Sequence, residues 1–169
     1  LYNMPRNTGI NIGPNLVDAL AKHPNIAGIK DSSGNIAQIA EIIAKCPQDF
    51  AVFAGSGNFL LPTLALGGVG GTLAVANVVP DYCVAIYKLY KDGQMDKAKK
   101  LQLGLLELNA AVTTRYGIGG MKAAMEVVGF HGGSPRRPIL PATEDVRRKI
   151  AEIVETTLNL FAEICGEGF

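Results

Sequence analysis

The sequence predicts an α/β protein in which a parallel sheet is followed by a purely helical segment. Three short apolar runs, at residues 26–30, 50–54 and 70–75, have the length and composition of buried strands. A loop and then a segment with helical spacing of apolar residues follow each run, and helices are expected at residues 14–22, 36–45, 59–66 and 82–91. This alternation is typical of a parallel sheet whose strands are buried on both faces.

The strand signal disappears after residue 92. The remaining apolar residues recur at helical spacing, and we expect helices at residues 95–113, 120–128 and 143–165. The chain is therefore expected to have two parts, an α/β part at residues 1–92 and a helical part at residues 93–169.

Composition argues against several classes of partner. The net charge is +1, and the basic residues are scattered, so neither nucleic acid nor a membrane surface is an expected partner. The three cysteines are widely separated and form no CxxC pair, which favours a reduced, cytoplasmic protein. No apolar run approaches the roughly 20 residues needed to span a bilayer.

Lys30 is the residue of greatest chemical interest in the α/β part. It follows four small or apolar residues at the carboxyl end of an expected strand, where sites in parallel α/β proteins collect. A dry environment favours the neutral form of an amine, which can condense with a ketone to give a Schiff base. The plainer alternative is a solvated or ion-paired lysine, and position alone does not separate the two.

Two further features lie at expected strand ends. Tyr2 precedes a proline turn, and its phenol could relay protons, although a tyrosine that only packs is the alternative. The glycines of the loop at residues 55–58 would let backbone N–H groups approach a carboxylate, whereas a plain βα turn is equally compatible. A dinucleotide fingerprint fits this loop poorly, because Leu60 stands where its third glycine would be.

These features form an ordered set of motifs. They are Tyr2-Asn3-Met4-Pro5-Arg6-Asn7-Thr8-Gly9, Gly28-Ile29-Lys30-Asp31-Ser32-Ser33-Gly34-Asn35, Ala54-Gly55-Ser56-Gly57, Gly68-Val69-Gly70-Gly71 and Ala76-Asn77-Val78. Together they resemble the dihydrodipicolinate synthase / N-acetylneuraminate lyase family, and the likeness extends through the helical tail.

The resemblance implies a particular fold. Members of this family form a (β/α)₈ barrel followed by three helices. The matching segment runs from the end of the fifth strand through the eighth helix, and the family's carboxylate-binding loop belongs to the half that this sequence lacks. We therefore expect the chain to be part of a longer protein, inactive alone, that forms a homodimer or homotetramer when complete.

The resemblance also assigns roles to individual residues. Lys30 would form the Schiff base with pyruvate, and Tyr2 would be the proton relay. Because the iminium serves as the electron sink, no metal or organic cofactor is expected. The expected substrate-binding residues, from strand ends and the loops after them, are Asn7, Ser32, Gly55, Ser56 and Thr72.

The resemblance suggests a substrate as well. Synthases of the family carry an arginine where this chain has Asn7, and Ser32 follows Lys-Asp as in 4-hydroxy-2-oxoglutarate aldolases. We therefore expect cleavage of 4-hydroxy-2-oxoglutarate to pyruvate and glyoxylate. The alternatives within the class are dihydrodipicolinate synthase and a 2-keto-3-deoxy sugar-acid aldolase, and the alternative from another class is a nucleotide-binding α/β module.

Overall fold

The computed structural model describes residues 1–166, which group into two compact units. The first unit comprises Leu1–Leu73, and the second begins at Ala74. All strands within residues 1–166 belong to the first unit, and the regular elements described in the second unit are helical. The α/β class and the helical tail expected from the sequence are both confirmed.

The first unit is built on a parallel sheet of four strands in the order β1-β2-β3-β4. The strands are β1 (Tyr2–Asn3), β2 (Gly28–Asp31), β3 (Ala51–Ala54) and β4 (Gly70–Gly71). The helices are α1 (Pro5–Thr8), α2 (Pro14–Ala21), α3 (Ile36–Lys45) and α4 (Leu60–Ala65), and a 3₁₀ turn at Gly57–Phe59 precedes α4. Strands that pair in chain order with helices between them are the βα repeats that the sequence pattern predicts.

Local chemistry sets the bounds of the helices α2 and α3. Pro14 begins α2. Its missing backbone N–H does no harm there, because the first residues of a helix have no partner within the helix to which they could donate. Asn35 caps α3, because its side-chain oxygen accepts a hydrogen bond from the backbone N–H of Gln38 at 3.2 Å. The helix ends before Cys46, which is extended and precedes Pro47.

One face of the sheet is buried, whereas the sequence predicted that both would be. Ile29 and Val52 are fully buried, and α3 and α4 contact β3. The residues that alternate with them, Lys30 and Phe53, keep partial exposure. Because the helices of this unit cover a single face, the opposite face carries the partly exposed side chains.

The strand expected at residues 70–75 is shorter in the structure. The pairing of β4 ends at Gly71, and Ala74–Asn77 forms a 3₁₀ turn at the start of the second unit. The side-chain amide of Asn77 donates to the carbonyl of Ala74 at 2.9 Å, which closes this turn. Such local side-chain bonds offer the backbone an alternative to a sheet.

The second unit packs its helices around a leucine-rich core. Its helices are α5 (Pro80–Lys91), α6 (Met95–Ala110), α7 (Gly117–Val127) and α8 (Glu144–Cys165). Residues that repeat at helical spacing on α6 and α8 are almost completely buried, namely Leu101, Leu105, Leu108, Ile150 and Val154. Burial also raises the pKa of the Cys83 thiol on α5 to about 12, as expected of a cysteine that serves packing.

The helix expected at residues 95–113 changes type near its end. From Ala111 to Arg115 the backbone widens into a π-helical turn, and the N–H of Tyr116 donates to the carbonyl of Ala111 at 3.1 Å. The hydroxyl of Thr113 donates to the carbonyl of Asn109 at the entry to this turn. The helices α7 and α8 follow close to their expected bounds.

The division between the units differs from the sequence boundary near residue 92. The helix α5 contacts α6 extensively, so its contacts group it with the helical tail. The assignment of residues 74–92 to a barrel, and with it the division into residues 1–92 and 93–169, stays a prediction. Of the helices within residues 1–166, none combines the length and the apolar character required to cross a membrane.

The close approach of β2 and β3 depends on Gly28. A Cβ atom at this position would lie 2.3 Å from the carbonyl oxygen of Ala51, its partner in the register. We expect Gly28→Ala to lower the free energy of unfolding by about 1–3 kcal/mol, because the strands must shift to admit the methyl group. Gly13→Ala is the control, since nothing lies within 4 Å of its added Cβ. Equal urea midpoints for the two variants would contradict this reading.

In the second unit, the hydroxyl of Tyr82 is the polar group to test. The side chain is 1% exposed, and its hydroxyl donates to the carbonyl of Leu101 at 2.9 Å, which joins α5 to α6. We expect Tyr82→Phe to destabilise the protein by about 1 kcal/mol in thermal or urea unfolding. Tyr87→Phe on the more exposed face of α5 should change stability by less than about 0.5 kcal/mol. A neutral Tyr82→Phe would show that this hydrogen bond is dispensable.

Candidate active site

The register of the sheet brings Tyr2 and Lys30 together. Tyr2 pairs with Lys30, Lys30 with Phe53 and Phe53 with Gly70, so these residues form one row across four parallel strands. Neighbours in such a row point to the same face of a sheet. The amine nitrogen of Lys30 lies 4.3 Å from the centroid of the Tyr2 ring. The amine therefore lies over the face of the Tyr2 ring, as in a cation–π contact, and both side chains stand on the same face of the sheet.

Both residues keep access to solvent. Tyr2 is 55% exposed at the edge of the sheet, and Lys30 is partly buried within β2. The two stand at the carboxyl ends of their strands, as the sequence predicts. A covalent role for Lys30 and a proton relay at Tyr2 stay predictions, and the geometry is compatible with both.

Phe53 also lies in this row, next to Lys30, although the sequence patterns did not single it out. It lies beside Lys30 in the register, and its ring would contact a Cβ atom at Gly70 at 3.6 Å. Gly70 therefore leaves space next to the ring on the face that carries Lys30. The strand at residues 50–54 was predicted. Its register, which places Phe53 beside Lys30, depends on contacts between segments distant in the chain and could not be predicted.

A second row lies on the other face of the same strands, where its members Asn3, Asp31 and Ala54 are buried and Gly71 is exposed. Asn3, Asp31, Ala54 and Gly71 are paired across the sheet, and Asn3 and Asp31 are 1% and 0% exposed. The side-chain amide of Asn3 donates to a carboxylate oxygen of Asp31 at 2.8 Å. The direct chain neighbours of Tyr2 and Lys30 are thus bonded to each other inside the first unit. The signal in the sequence was the pair of polar residues directly after Tyr2 and Lys30.

The structure also brings Ser32 and Gly55 together. The hydroxyl of Ser32 donates to the carbonyl of Gly55 at 3.5 Å, and the N–H of Gly55 donates to the carbonyl of Asp31 at 2.7 Å. A Cβ atom at Gly55 would lie 1.9 Å from the Ser32 hydroxyl oxygen, so close packing of two loops requires glycine here. This observation favours a structural reason for Gly55, and substrate binding by Gly55 and Ser32 stays a prediction.

Ser56 has a capping function in this loop. Its hydroxyl oxygen accepts a hydrogen bond from the N–H of Asn58 at 3.4 Å at the start of the 3₁₀ turn. This bond shapes the turn that leads from β3 into α4. A contact of Ser56 with a bound ketoacid stays a prediction.

The last two expected residues lie after other strands of the sheet. Thr72 is exposed directly after β4, and its N–H donates to the carbonyl of Ala54 at 2.9 Å. Asn7 is exposed on α1, the short helix that follows β1. All seven expected site residues therefore occupy or follow the carboxyl ends of strands in the sheet. The contacts described above join only two pairs of them, Tyr2 with Lys30 and Ser32 with Gly55.

Comparisons with known proteins identify the family to which the chain is similar. The model of the Dihydrodipicolinate synthetase family matches residues 1–157. A 4-hydroxy-tetrahydrodipicolinate synthase from Caldicellulosiruptor saccharolyticus is 41% identical over 161 residues, which are 95% of this chain and 54% of the relative. The chain thus spans about half the length of the curated relatives it matches.

Solved structures show the same correspondence in three dimensions. A dihydrodipicolinate synthase from Bacillus anthracis superposes with a TM-score of 0.87 at 30% identity, covering 92% of this chain and 53% of that one. YagE from E. coli K12, a protein of the same family in complex with pyruvate, gives 0.84 at 28% identity, covering 94% and 55%. The fold is that of about half of a (β/α)₈ barrel protein with its helical extension. With the family model matching most of its length, this chain belongs to the Dihydrodipicolinate synthetase family.

Proposed function

We propose that this chain supplies the covalent site of a pyruvate-dependent Schiff-base lyase or synthase, with Lys30 as the nucleophile. The observation that carries the proposal is the position of the Lys30 amine, 4.3 Å from the Tyr2 ring centroid at the carboxyl edge of a parallel sheet. Sites of barrel enzymes are built at this edge. A structure of YagE, a relative at 28% identity, is a complex with pyruvate, which supports the choice of ketoacid.

The chemistry needs a nucleophile and a proton relay. The neutral amine of Lys30 attacks C2 of pyruvate and forms a carbinolamine, while the ketone oxygen takes up a proton. Tyr2 transfers a proton to the departing hydroxyl group, so that water leaves and an iminium forms. The Tyr2 phenolate takes a proton from C3, and the electron pair of the C–H bond neutralises the iminium to give an enamine. The enamine attacks an aldehyde, whose oxygen takes up the proton, and water then hydrolyses the new iminium and frees the Lys30 amine. In the reverse direction, the same steps cleave a 4-hydroxy-2-oxoacid.

The comparisons change the preferred second substrate. The relatives are named 4-hydroxy-tetrahydrodipicolinate synthase, which favours the alternative over the cleavage of 4-hydroxy-2-oxoglutarate first expected. We therefore propose condensation of pyruvate with aspartate semialdehyde as the leading reaction. The resemblance to this family also argues against the nucleotide-binding module as the function of the loop at residues 55–58.

Cleavage of 4-hydroxy-2-oxoglutarate stays the second candidate because of Asn7. This amide stands where synthases of the family are expected to carry an arginine for the carboxylate of the second substrate, and an amide cannot form a charged bidentate pair. Asn7 is exposed on α1 next to the strand that carries Tyr2, so it could contact a second substrate. Sugar-acid aldolase activity and homo-oligomer formation have no separate observation in their favour and stay predictions.

Trapping experiments test the covalent role of Lys30. In the complete protein, borohydride reduction with pyruvate should attach a reduced pyruvyl group to the peptide that contains Lys30. We expect Lys30→Ala to remove the adduct and to lower kcat/KM by more than about 1,000-fold. Lys30→Arg should fail as well, because a guanidinium stays protonated.

Lys22→Ala is the matched control for this experiment. Lys22 is an exposed lysine that pairs with Asp18 at 3.2 Å, and its loss should leave trapping unchanged. An adduct on Lys22 or Lys45 in the unmodified protein would refute the assignment of Lys30.

Paired kinetics decide between the two second substrates. We expect the complete protein to condense pyruvate with aspartate semialdehyde faster than it cleaves 4-hydroxy-2-oxoglutarate at equal enzyme concentration. Asn7→Arg should lower the KM for aspartate semialdehyde, because a guanidinium can bind its carboxylate bidentately. Faster cleavage by the natural protein would reverse the preference and restore 4-hydroxy-2-oxoglutarate as the substrate.

A further inference from the structure

We propose that Asp31 is a positioning residue that fixes Lys30 and Tyr2 relative to one another from the buried face of the sheet. This inference deepens the proposed function and rests on it. It concerns a cluster of polar side chains to which the mechanism above gives no role. Asn3, Asp31 and Gln38 are buried, Ser33 is half-buried, and Asn11 is exposed at the outer end of the cluster.

The carboxylate of Asp31 is fully buried and fully bonded. One oxygen accepts from the side-chain amides of Asn3 at 2.8 Å and Gln38 at 2.9 Å. The other accepts from the N–H of Ser33 at 2.8 Å and from the Ser33 hydroxyl. Two donors to each oxygen match the acceptor capacity of a carboxylate, so this environment is selective for that group.

The bond to Asn3 joins the two strands that carry the site. Asn3 directly follows Tyr2, and Asp31 directly follows Lys30. The Asn3–Asp31 bond therefore lies one residue further along both strands than the Tyr2–Lys30 contact, on the opposite face of the sheet. The strand β1 is only two residues long and can form few ladder hydrogen bonds of its own. The N–H groups of Lys30 and Ser32 donate to the carbonyls of Leu1 and Asn3 at 3.0 and 2.9 Å, and the buried Asn3–Asp31 bond adds a side-chain contact to this short ladder.

The remaining members tie this pair to the surrounding backbone. The side-chain oxygen of Asn3 accepts from the N–H of Ile12 at 3.0 Å, and its amide also donates to Asn11 at 2.9 Å. Asn11 and Gln38 exchange two amide hydrogen bonds, at 2.8 and 3.2 Å. Hydrogen bonds, direct or through Asn3 and Gln38, thus connect the Asp31 carboxylate with the end of β1, the loop before α2 and the helix α3.

The alternation of the strand transmits this constraint to Lys30. Successive side chains of a strand point to opposite faces, so a fixed Asp31 on the buried face fixes the direction in which Lys30 leaves the backbone. The same holds for Asn3 and Tyr2. Because small displacements of reacting groups reduce rates strongly, loss of the Asp31 carboxylate should slow the chemistry even when the protein remains folded.

The test uses Asp31→Asn in the complete protein and the rate of borohydride-trapped adduct formation on Lys30 with pyruvate. Asparagine has nearly the size of aspartate, but its side-chain NH₂ group would face groups that themselves donate hydrogen bonds to position 31. We expect the saturating rate constant, per folded molecule, to fall by about 10–100-fold, with a half-saturating pyruvate concentration within about threefold of the original. A rate constant within about twofold would overturn the inference.

Two further variants separate positioning from general destabilisation. Thr157→Val removes a buried hydroxyl that donates to the carbonyl of Ile153 at 2.8 Å on α8, and it should lower Tm without changing the trapping rate. The double variant N3D/D31N exchanges the two side chains, so that the amide at position 31 can donate to the carboxylate at position 3. It should recover part of the lost rate. No recovery, or an equal loss of rate in Thr157→Val, would also overturn the inference.

The outcomes distinguish this inference from the function on which it rests. If the natural protein gives no adduct on Lys30, the proposed function fails and the inference fails with it. If the natural protein is trapped on Lys30 and Asp31→Asn is trapped equally fast, only the role of Asp31 fails. Should Asp31→Asn not fold, Gln38→Leu, which removes a single donor to the carboxylate, should still slow trapping severalfold, and an unchanged rate would refute the role.

Discussion

The parallel pairing of Tyr2 with Lys30 and of Asn3 with Asp31 is the interaction on which the site depends. It places Tyr2 and Lys30, the pair proposed to react, on the partly exposed face of the sheet, and the hydrogen-bonded pair Asn3 and Asp31 on the buried face. A shift of one residue in this register would exchange the two faces, burying Lys30 and exposing Asp31. The covalent chemistry proposed for Lys30 and the role proposed for Asp31 therefore follow from a single geometric constraint.

Glycines maintain the spacing that this constraint requires. Gly28 allows β2 to lie against Ala51, and Gly55 allows the loop after β3 to pack on the backbone of Asp31 and Ser32. Both glycines occur within the motifs by which the family is recognised. The close approach of neighbouring atoms gives each glycine a packing reason. Its presence in a motif is therefore not by itself evidence that it contacts the substrate.

Much of the first unit could be predicted from local patterns. The strand ends at Tyr2 and Lys30 followed from a proline turn and an apolar run. The pairing of Phe53 with Lys30 could not be predicted, because register is decided by contacts between distant segments. The strand expected at residues 70–75 was too long, since a side-chain bond from Asn77 stabilises a turn instead. The second substrate could not be predicted from the fold, because proteins with the same fold can bind different substrates through a few exposed side chains, and Asn7 is proposed as one of them here.

A crystal structure of the complete protein soaked with pyruvate would test the covalent role of Lys30 and the position of Tyr2 beside it. We expect continuous electron density from the Lys30 amine nitrogen to C2 of pyruvate, with the Tyr2 hydroxyl close to the former ketone position and the Asn3–Asp31 hydrogen bond intact. Pyruvate joined to another lysine, or bound at Lys30 only after β1 and β2 change their register, would contradict this expectation.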